Sequence, residues 1–381
     1  MVSKKITRTL SIIVIVFLLI SVTAAGFYFG LNYVLSQNAR FERLQKQFGS
    51  SNGTALNKDT PGAVEIIVPR ASDTKQIAEL LEEKGIIKNV FMFTILSKFN
   101  GFDGSYMAGT HFVLPDLGYD EIMYILCQNP HAVRVTFPEG LTYSEVKGRL
   151  TAAGVRFDEK VLDSMMRNPQ IFLDYDFITD IDMKDGRDWL LQGYLFPDTY
   201  EFDVNTDEET IIRTFLNNTS KKLVDEYYAR AERINMSMDE IITMASIIQM
   251  ECEKIEEMRT VSGVFYNRIK KDMTFSSCAT INYLRREDDL EPKLWLSNDD
   301  IYAYEDNLYN SYLFSGLPPG PICSPGEFAI RAALWPESHK YLYFSAMGDG
   351  SNVFAVTYEQ HERNIARYQA LAEAGQTAPS R

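Results

Sequence analysis

Glu251 is the side chain whose surroundings in the sequence best suit proton transfer. It lies in the helical run IITMASIIQMECEK, residues 241–254, which follows Ser237-Met238-Asp239-Glu240. Ser and Glu three positions apart form a capping box, in which hydroxyl and carboxylate satisfy the free backbone donors of a helix start. At about 100° per residue, Ile241, Met244, Ala245, Ile248 and Cys252 fall on one apolar stripe, and Glu251 lies at its margin beside Met244 and Ile248. Glu253 points away from it. A carboxyl at the edge of an apolar face loses hydration, which disfavours its charged form and moves its pKa toward the range useful to a general acid. Two readings fit this spacing: a proton donor, or a structural carboxylate held by Arg259 or Arg268.

Three further segments hold the backbone in fixed shapes. Gln192-Gly193-Tyr194-Leu195-Phe196-Pro197-Asp198-Thr199-Tyr200 sets aromatics around a Pro-Asp turn, Tyr309-Asn310-Ser311-Tyr312 precedes the Gly316–Pro321 run, and Ser324-Pro325-Gly326 opens a helix over 327–334. Rigid loops lose little entropy on binding and can present backbone groups and rings to a polymer. Each also reads as a tight connection. Cys127, Cys252, Cys278 and Cys323 form no CxxC pair, and the four histidines are scattered without an HExxH, so no metal site and no cofactor is expected. Unpaired thiols are expected.

The elements that must position these residues are legible in outline. The 381 residues predict two or three domains, and 52 Asp+Glu against 38 Lys+Arg, net −14, argue against a nucleic-acid partner. Lys4, Lys5 and Arg8 in a tail at 1–9 precede an apolar stretch at 10–31, long enough to cross a bilayer with the N-terminus inside. A cleaved signal peptide is the competing reading, with small residues at Val22 to Ala25, but apolar character resumes at Phe27, Tyr28, Phe29 and Leu31. Residues 32–62 read as a linker that starts with a short helical extension. A small α+β module follows at 63–130: a strand from Val64, a helix over 73–83 capped by Ser72, a helix over 90–97, a strand over 109–114 and a helix over 120–127. A larger unit of mixed helices and strands occupies 131–372, beginning with a strand from Val133 and a helix over 143–153. A flexible tail ends the chain at 373–381.

Seven motifs in order, GYLFPDTYEF (193–202), MASIIQME (244–251), VSGVFYNRI (261–269), SSCATINY (276–283), YNSY (309–312), GLPPGPICSPG (316–326) and YLYFSAMGDGSNVF (341–354), resemble the MltG or YceG-like family of endolytic murein transglycosylases. The resemblance covers nearly the whole chain. It implies an α+β protein with a single N-terminal transmembrane helix, a LysM-like module at 63–130 and a YceG-like catalytic domain at 131–372, on the extracytoplasmic side of the plasma membrane. Glu251 matches the family's catalytic glutamate. Gln249 and Gln192 stand where many relatives carry Glu, and Cys278-Ala279 where an Asp-Pro pair is common.

The implied reaction is cleavage of the MurNAc–GlcNAc bond inside nascent peptidoglycan strands, with the C6 hydroxyl of MurNAc attacking its own C1 to leave a 1,6-anhydro end. Peptidoglycan synthases are the implied protein partners. Asn267, Arg268, Ser277, Thr280, Tyr309, Asn310, Tyr312, Tyr194, Asp198 and Tyr200 are expected to bind substrate, because amides, hydroxyls and rings match polyol edges and faces. Arg268 either orients Glu251 or binds a peptide carboxylate. Two other functions compete: a hydrolase pairing Glu251 with a second acid such as Asp198, and a non-catalytic wall-binding scaffold.

Overall fold

A computed structural model describes residues 2–50, 53–54, 56–293 and 295–373. The fold is α+β, with helices predominating over four two-stranded sheets among the described residues. The chain divides into two compact units, Met1–Ala132 and Val133–Arg381.

In the first unit the strand Val64–Val68 pairs antiparallel with Gly109–Val113, Val64 opposite Val113 and Val68 opposite Gly109. The helices Thr74–Glu83 and Val90–Phe99 lie between them in sequence, and Tyr119–Leu126 follows. The N-cap of the first helix is Asp73, in a capping box with Gln76, and not Ser72. Ser72 Oγ donates instead to the Pro69 carbonyl at 2.9 Å. The Asp73 carboxyl accepts the Gln76 N–H at 2.8 Å, a role that a hydroxyl already engaged in a turn does not fill.

The helix Val2–Phe48 runs through the first part of the segment expected to be linker. Its end is held because Leu44 and Phe48 are buried in the core of this unit with Ile66, Leu81 and Ile122. Residues 51, 52 and 55 of the expected linker, and 374–381 of the expected tail, lie outside the described residues. Among the described residues no helix is long and apolar enough to cross a membrane. The expected span at 10–31 includes 10–13 and 31, whose side chains lie outside the described residues. Between them Val14 to Phe29 presents large apolar side chains that are 48–73% exposed.

The second unit is built around the helix Met238–Glu251, which Ser237 and Glu240 cap reciprocally as the spacing requires. The apolar stripe is wider than its periodicity indicates: every residue from Ile241 to Ile248 is buried. A helix covered on all sides is a central element, not a surface one. The helices Met258–Ile269, Cys278–Glu287 and Glu327–Leu334 pack around it. The strands Ala132–Thr136 and Thr199–Asp203 form a sheet whose inner aromatics continue the core, with Phe137 and Tyr200 against Phe215 at 5.0 and 4.6 Å between ring centroids. The cysteines are free thiols, Cys252 and Cys323 buried and Cys127 and Cys278 partly so.

The start of the central helix is locked by a buried ion pair. Arg187 grips Asp239 with two parallel bonds, Nη1 to Oδ2 at 2.6 Å and Nη2 to Oδ1 at 3.0 Å, their side chains 0% and 3% exposed. Tyr194 donates its hydroxyl to the same carboxylate at 2.7 Å, and Arg187 Nη2 also reaches the Leu190 carbonyl at 3.1 Å. Gly320 makes room for the guanidinium, since a Cβ there would lie 2.6 Å from Arg187 Nε. Gly193, at φ +91°, lets the GYLFPDTY turn close against Pro321, where a Cβ would come within 2.5 Å. Removing one member of a buried pair strands the other charge. Asp239→Ala is therefore expected to lower the unfolding free energy by about 3–5 kcal/mol, read as a lower denaturant midpoint at unchanged slope.

Candidate active site

The central helix stops at Glu251, short of the expected run to 254, because Cys252 turns extended, and the Glu251 carboxyl reaches the first turn of the Cys278–Glu287 helix. Oε1 accepts a short hydrogen bond from Ser277 Oγ and a second, 3.2 Å long, from the Ala279 N–H. Ser277 is the N-cap of that helix, yet its hydroxyl makes no capping bond because it turns to Glu251. The glutamate does the capping. Both donors converge on Oε1, so in the neutral carboxylic acid the proton belongs on Oε2.

Opposing influences meet at this carboxyl. Burial raises its pKa most, while the hydroxyl of Ser277, the N–H of Ala279 and the charge of Arg268 lower it, and the net direction is upward. Its own helix presents a negative C-terminal end and the facing helix a positive N-terminal end, two contributions that oppose each other. The residue as a whole keeps some exposure, so a ligand can reach a carboxyl that is otherwise densely surrounded. Cys278 and Tyr312 lie beside it, Sγ to the tyrosine oxygen 3.1 Å, and burial together with the glutamate's charge lifts the thiol to about 11.

The structural reading in which an arginine holds Glu251 does not fit this geometry. Arg259 Nε donates to the Trp335 carbonyl at 2.9 Å. Arg268, buried, spends its donors on the carbonyls of Leu342 at 2.6 Å, Thr274 at 3.2 Å and Phe275 at 2.5 Å, and stands over the Tyr343 ring. It acts on Glu251 through space and shapes the loop that carries Ser277. Desolvation lowers the pKa of its guanidinium.

The residues expected to bind substrate separate into two groups. Glu251, Ser277, Tyr312 and Cys278 meet at one place, with Thr280 behind them, fully buried and bonded to the Ser277 carbonyl at 3.0 Å. The others brace the scaffold. Asn310, fully buried, donates to the Ile301 and Tyr304 carbonyls at 2.9 and 3.1 Å, and Tyr309 is buried against Tyr283. Asn267 donates to the carbonyls of His339 and Tyr341 at 2.9 and 3.0 Å. Tyr194 serves Asp239, 12 residues and thus about 18 Å along the helix axis from Glu251. Tyr200 is buried, donating to the Phe196 carbonyl at 2.6 Å, while the exposed Asp198 accepts from Thr199 N and Asn218 Nδ2 at 2.8 and 3.0 Å.

Sequence reasoning misses Ser311, which lies inside the YNSY motif between Asn310 and Tyr312, and the backbone donor of Ala279. No side-chain pattern signals a backbone N–H. A proline at 279 would lack this donor, so the departure from Asp-Pro adds a hydrogen bond to the carboxyl. The two glutamines that stand for Glu are used as amides: Gln192 accepts from Tyr143 N at 2.9 Å and donates to the Pro321 carbonyl at 3.0 Å, and Gln249 accepts from Gly326 N at 3.0 Å. Among the described residues no group of three or more His, Cys, Asp or Glu could hold a metal ion. A cavity of about 360 Å³, lined by Asp180, Tyr228, Asn235 and Ser237 among others, opens at the far end of the central helix.

A raised carboxyl pKa means that the folded chain binds a proton the unfolded chain releases above pH 4.5. Stability is therefore lost as pH rises from 4.5 through the folded pKa, at about 1.4 kcal/mol for each tenfold change in acidity. Glu251→Gln keeps an acceptor for Ser277 and Ala279 and cannot ionise. It is expected to be more stable than wild type at pH 7, with the advantage vanishing below pH 4.5, as urea midpoints across pH would show.

Comparison with known proteins places this chain in a family. The model of the YceG-like family matches residues 66–367. An endolytic murein transglycosylase of Streptococcus pneumoniae serotype 2 (strain D39) is 28% identical over 370 residues, 92% of this chain and 63% of the relative, so the chain spans less than two thirds of the pneumococcal protein. One from Bacillus subtilis strain 168 is 28% identical over 334 residues, covering 84% of this chain and 89% of the relative. The crystal structure of a yceG-like protein from Listeria monocytogenes superposes with a TM-score of 0.54 at 27% identity, over 80% of this chain and 99% of that one. With the family match extending from the strand Val64–Val68 into the helix Tyr358–Glu373, the chain belongs to the YceG-like family.

Proposed function

We propose that this chain is a membrane-anchored endolytic lytic transglycosylase that cleaves the MurNAc–GlcNAc bond within nascent peptidoglycan strands and so terminates or trims their elongation. The observation that carries this reading is the single buried carboxyl of Glu251, raised in pKa, with Oε1 occupied by two donors and Oε2 left to hold the proton. The names of the pneumococcal and Bacillus relatives support the substrate.

In this reaction Oε2–H protonates the glycosidic oxygen as its bond to C1 of MurNAc breaks. The C6 hydroxyl of the same sugar closes on C1, and its proton passes to the carboxylate, which regenerates the acid. No water is consumed. Because the nucleophile is part of the substrate, proximity replaces the second carboxylate that hydrolytic glycosidases require. Asp198, the second acid of the hydrolase alternative, is exposed and bonded to Asn218 and Thr199, while the charged side chain acting on Glu251 is Arg268.

The apolar side chains of Val14 to Phe29, exposed around the helix, support an anchor in the plasma membrane, and Lys4, Lys5 and Arg8 support an extracytoplasmic catalytic unit. The strand–helix–helix–strand order of the first unit supports a LysM-like module. Peptidoglycan synthases, which supply the strands, are the proposed protein partners. Purified glycan strands digested by the detergent-solubilised full chain should yield 1,6-anhydro ends, lighter than reducing ends by one water. Glu251→Gln should reduce that yield by about 10²–10⁴-fold. Reducing ends would establish the hydrolase instead, and full complementation by Glu251→Ala would establish the scaffold.

A further inference from the structure

The hydroxyl that Ser277 offers to Glu251 sits at the end of a backbone segment that would not hold its shape unaided. Ser276 has φ +44°, in the left-handed region that is costly for any residue but glycine and persists where the surroundings over-determine it. The Arg268 side chain and Ser311, through its backbone carbonyl and its hydroxyl, supply that determination. Arg268 takes the Thr274 and Phe275 carbonyls on one side. On the other, Ser311 accepts the Ser276 N–H at its carbonyl at 2.8 Å and the Ser277 N–H at its hydroxyl at 3.0 Å.

The direction of the hydroxyl chain follows from counting protons. Thr280 Oγ1 spends its one hydrogen on the Ser277 carbonyl at 3.0 Å, so the 2.8 Å contact between Thr280 and Ser311 is donated by Ser311. That leaves the lone pairs of Ser311 Oγ for the Ser277 N–H. Ser277, Thr280 and Ser311 are 2%, 0% and 3% exposed, so water does not compete for these bonds. The backbone of Ser277 is held at both its N–H and its carbonyl, and only its side chain is left to turn toward Oε1.

We propose that Ser311 is a positioning residue of this site: its hydroxyl, by fixing the Ser277 N–H beside the bond that the Ser311 carbonyl makes to Ser276, aims the Ser277 hydroxyl at Glu251. The proposal rests on the reading of Glu251 as the acid. Ser311 is buried and its hydroxyl makes no bond to Glu251, and the groups that face the carboxyl are Arg268 from the Met258–Ile269 helix, Cys278 and Tyr312, with Cys252 next in the chain. The Ser311 hydroxyl bonds the Ser277 N–H and Thr280 Oγ1 and none of these groups. With the Ser277 bond weakened, a contribution that favours the ionised form is lost, and Glu251 becomes harder to deprotonate.

The test uses the full chain with ¹³C-carboxyl glutamate, the Glu251 signal being assigned by its loss in Glu251→Gln. In Ser311→Ala the Glu251 titration should move up in pH by about one unit, a tenfold change in proton affinity, and Ser277→Ala should move it at least as far. The double variant should match Ser277→Ala alone, because Ser311 acts only through Ser277. On glycan strands kcat should fall about 10–100-fold in Ser311→Ala with KM changed less than twofold, and the alkaline limb of the pH profile should follow the titration. Should Ser311→Ala fail to fold, Thr280→Val, which removes the hydroxyl that orients Ser311 at nearly constant volume, should give a smaller shift in the same direction. An unmoved Glu251 titration in the folded variant, or additive effects in the double variant, would overturn the proposal. A titration that moves in a chain that makes no anhydro ends would uphold the positioning role and defeat the functional reading.

Discussion

One contact organises the second unit: the carboxyl of Glu251, at the end of one helix, caps the start of another through Ser277 Oγ and the Ala279 N–H. A carboxylate at a helix N-terminus is ordinarily favoured as the charged form. Here burial outweighs that preference and the net direction of the pKa is upward. The site thus combines a firm grip on one carboxyl oxygen with a reluctance to ionise. A proton donor needs both, since an unanchored acid would waste orientation and a fully ionised one would have no proton to give.

The rest of the unit keeps that contact in place. The central helix is covered along most of its length and pinned at its start by the Arg187–Asp239 pair, so its last residue has little freedom to move. At the other partner, Arg268 and Ser311 fix the strained turn that delivers Ser277. Carboxyl groups at both ends of one helix therefore do different things. Asp239 is gripped by Arg187, whereas no arginine bonds Glu251.

Much of this arrangement is legible in the order of residues. The capping box at Ser237, the helix that carries Glu251 and the helix over 327–334 follow from spacing alone, though not the end of the central helix at Glu251. What spacing conceals is of two kinds. Burial on every side of residues 241–248 does not follow from a periodicity that marks only one face, because threonine, serine and alanine serve a core as well as a surface. The roles of polar loop residues are also hidden: Asn267, Asn310 and Tyr194 have the side chains of a sugar-binding site and spend them on backbone carbonyls and a buried carboxylate. Amides and hydroxyls look the same in a sequence whether they face a ligand or staple a loop. Only the partners in space tell them apart.

The chemistry of the site depends on the protonation of one group. Infrared difference spectra between wild type and Glu251→Gln, recorded from acid to neutral pH, isolate the carboxyl of Glu251 directly. A protonated-carboxyl band is expected to persist above pH 4.5, the ordinary value for glutamate, and to give way to carboxylate only at higher pH. A band already lost at or below pH 4.5 would contradict the role of Glu251 as the proton donor.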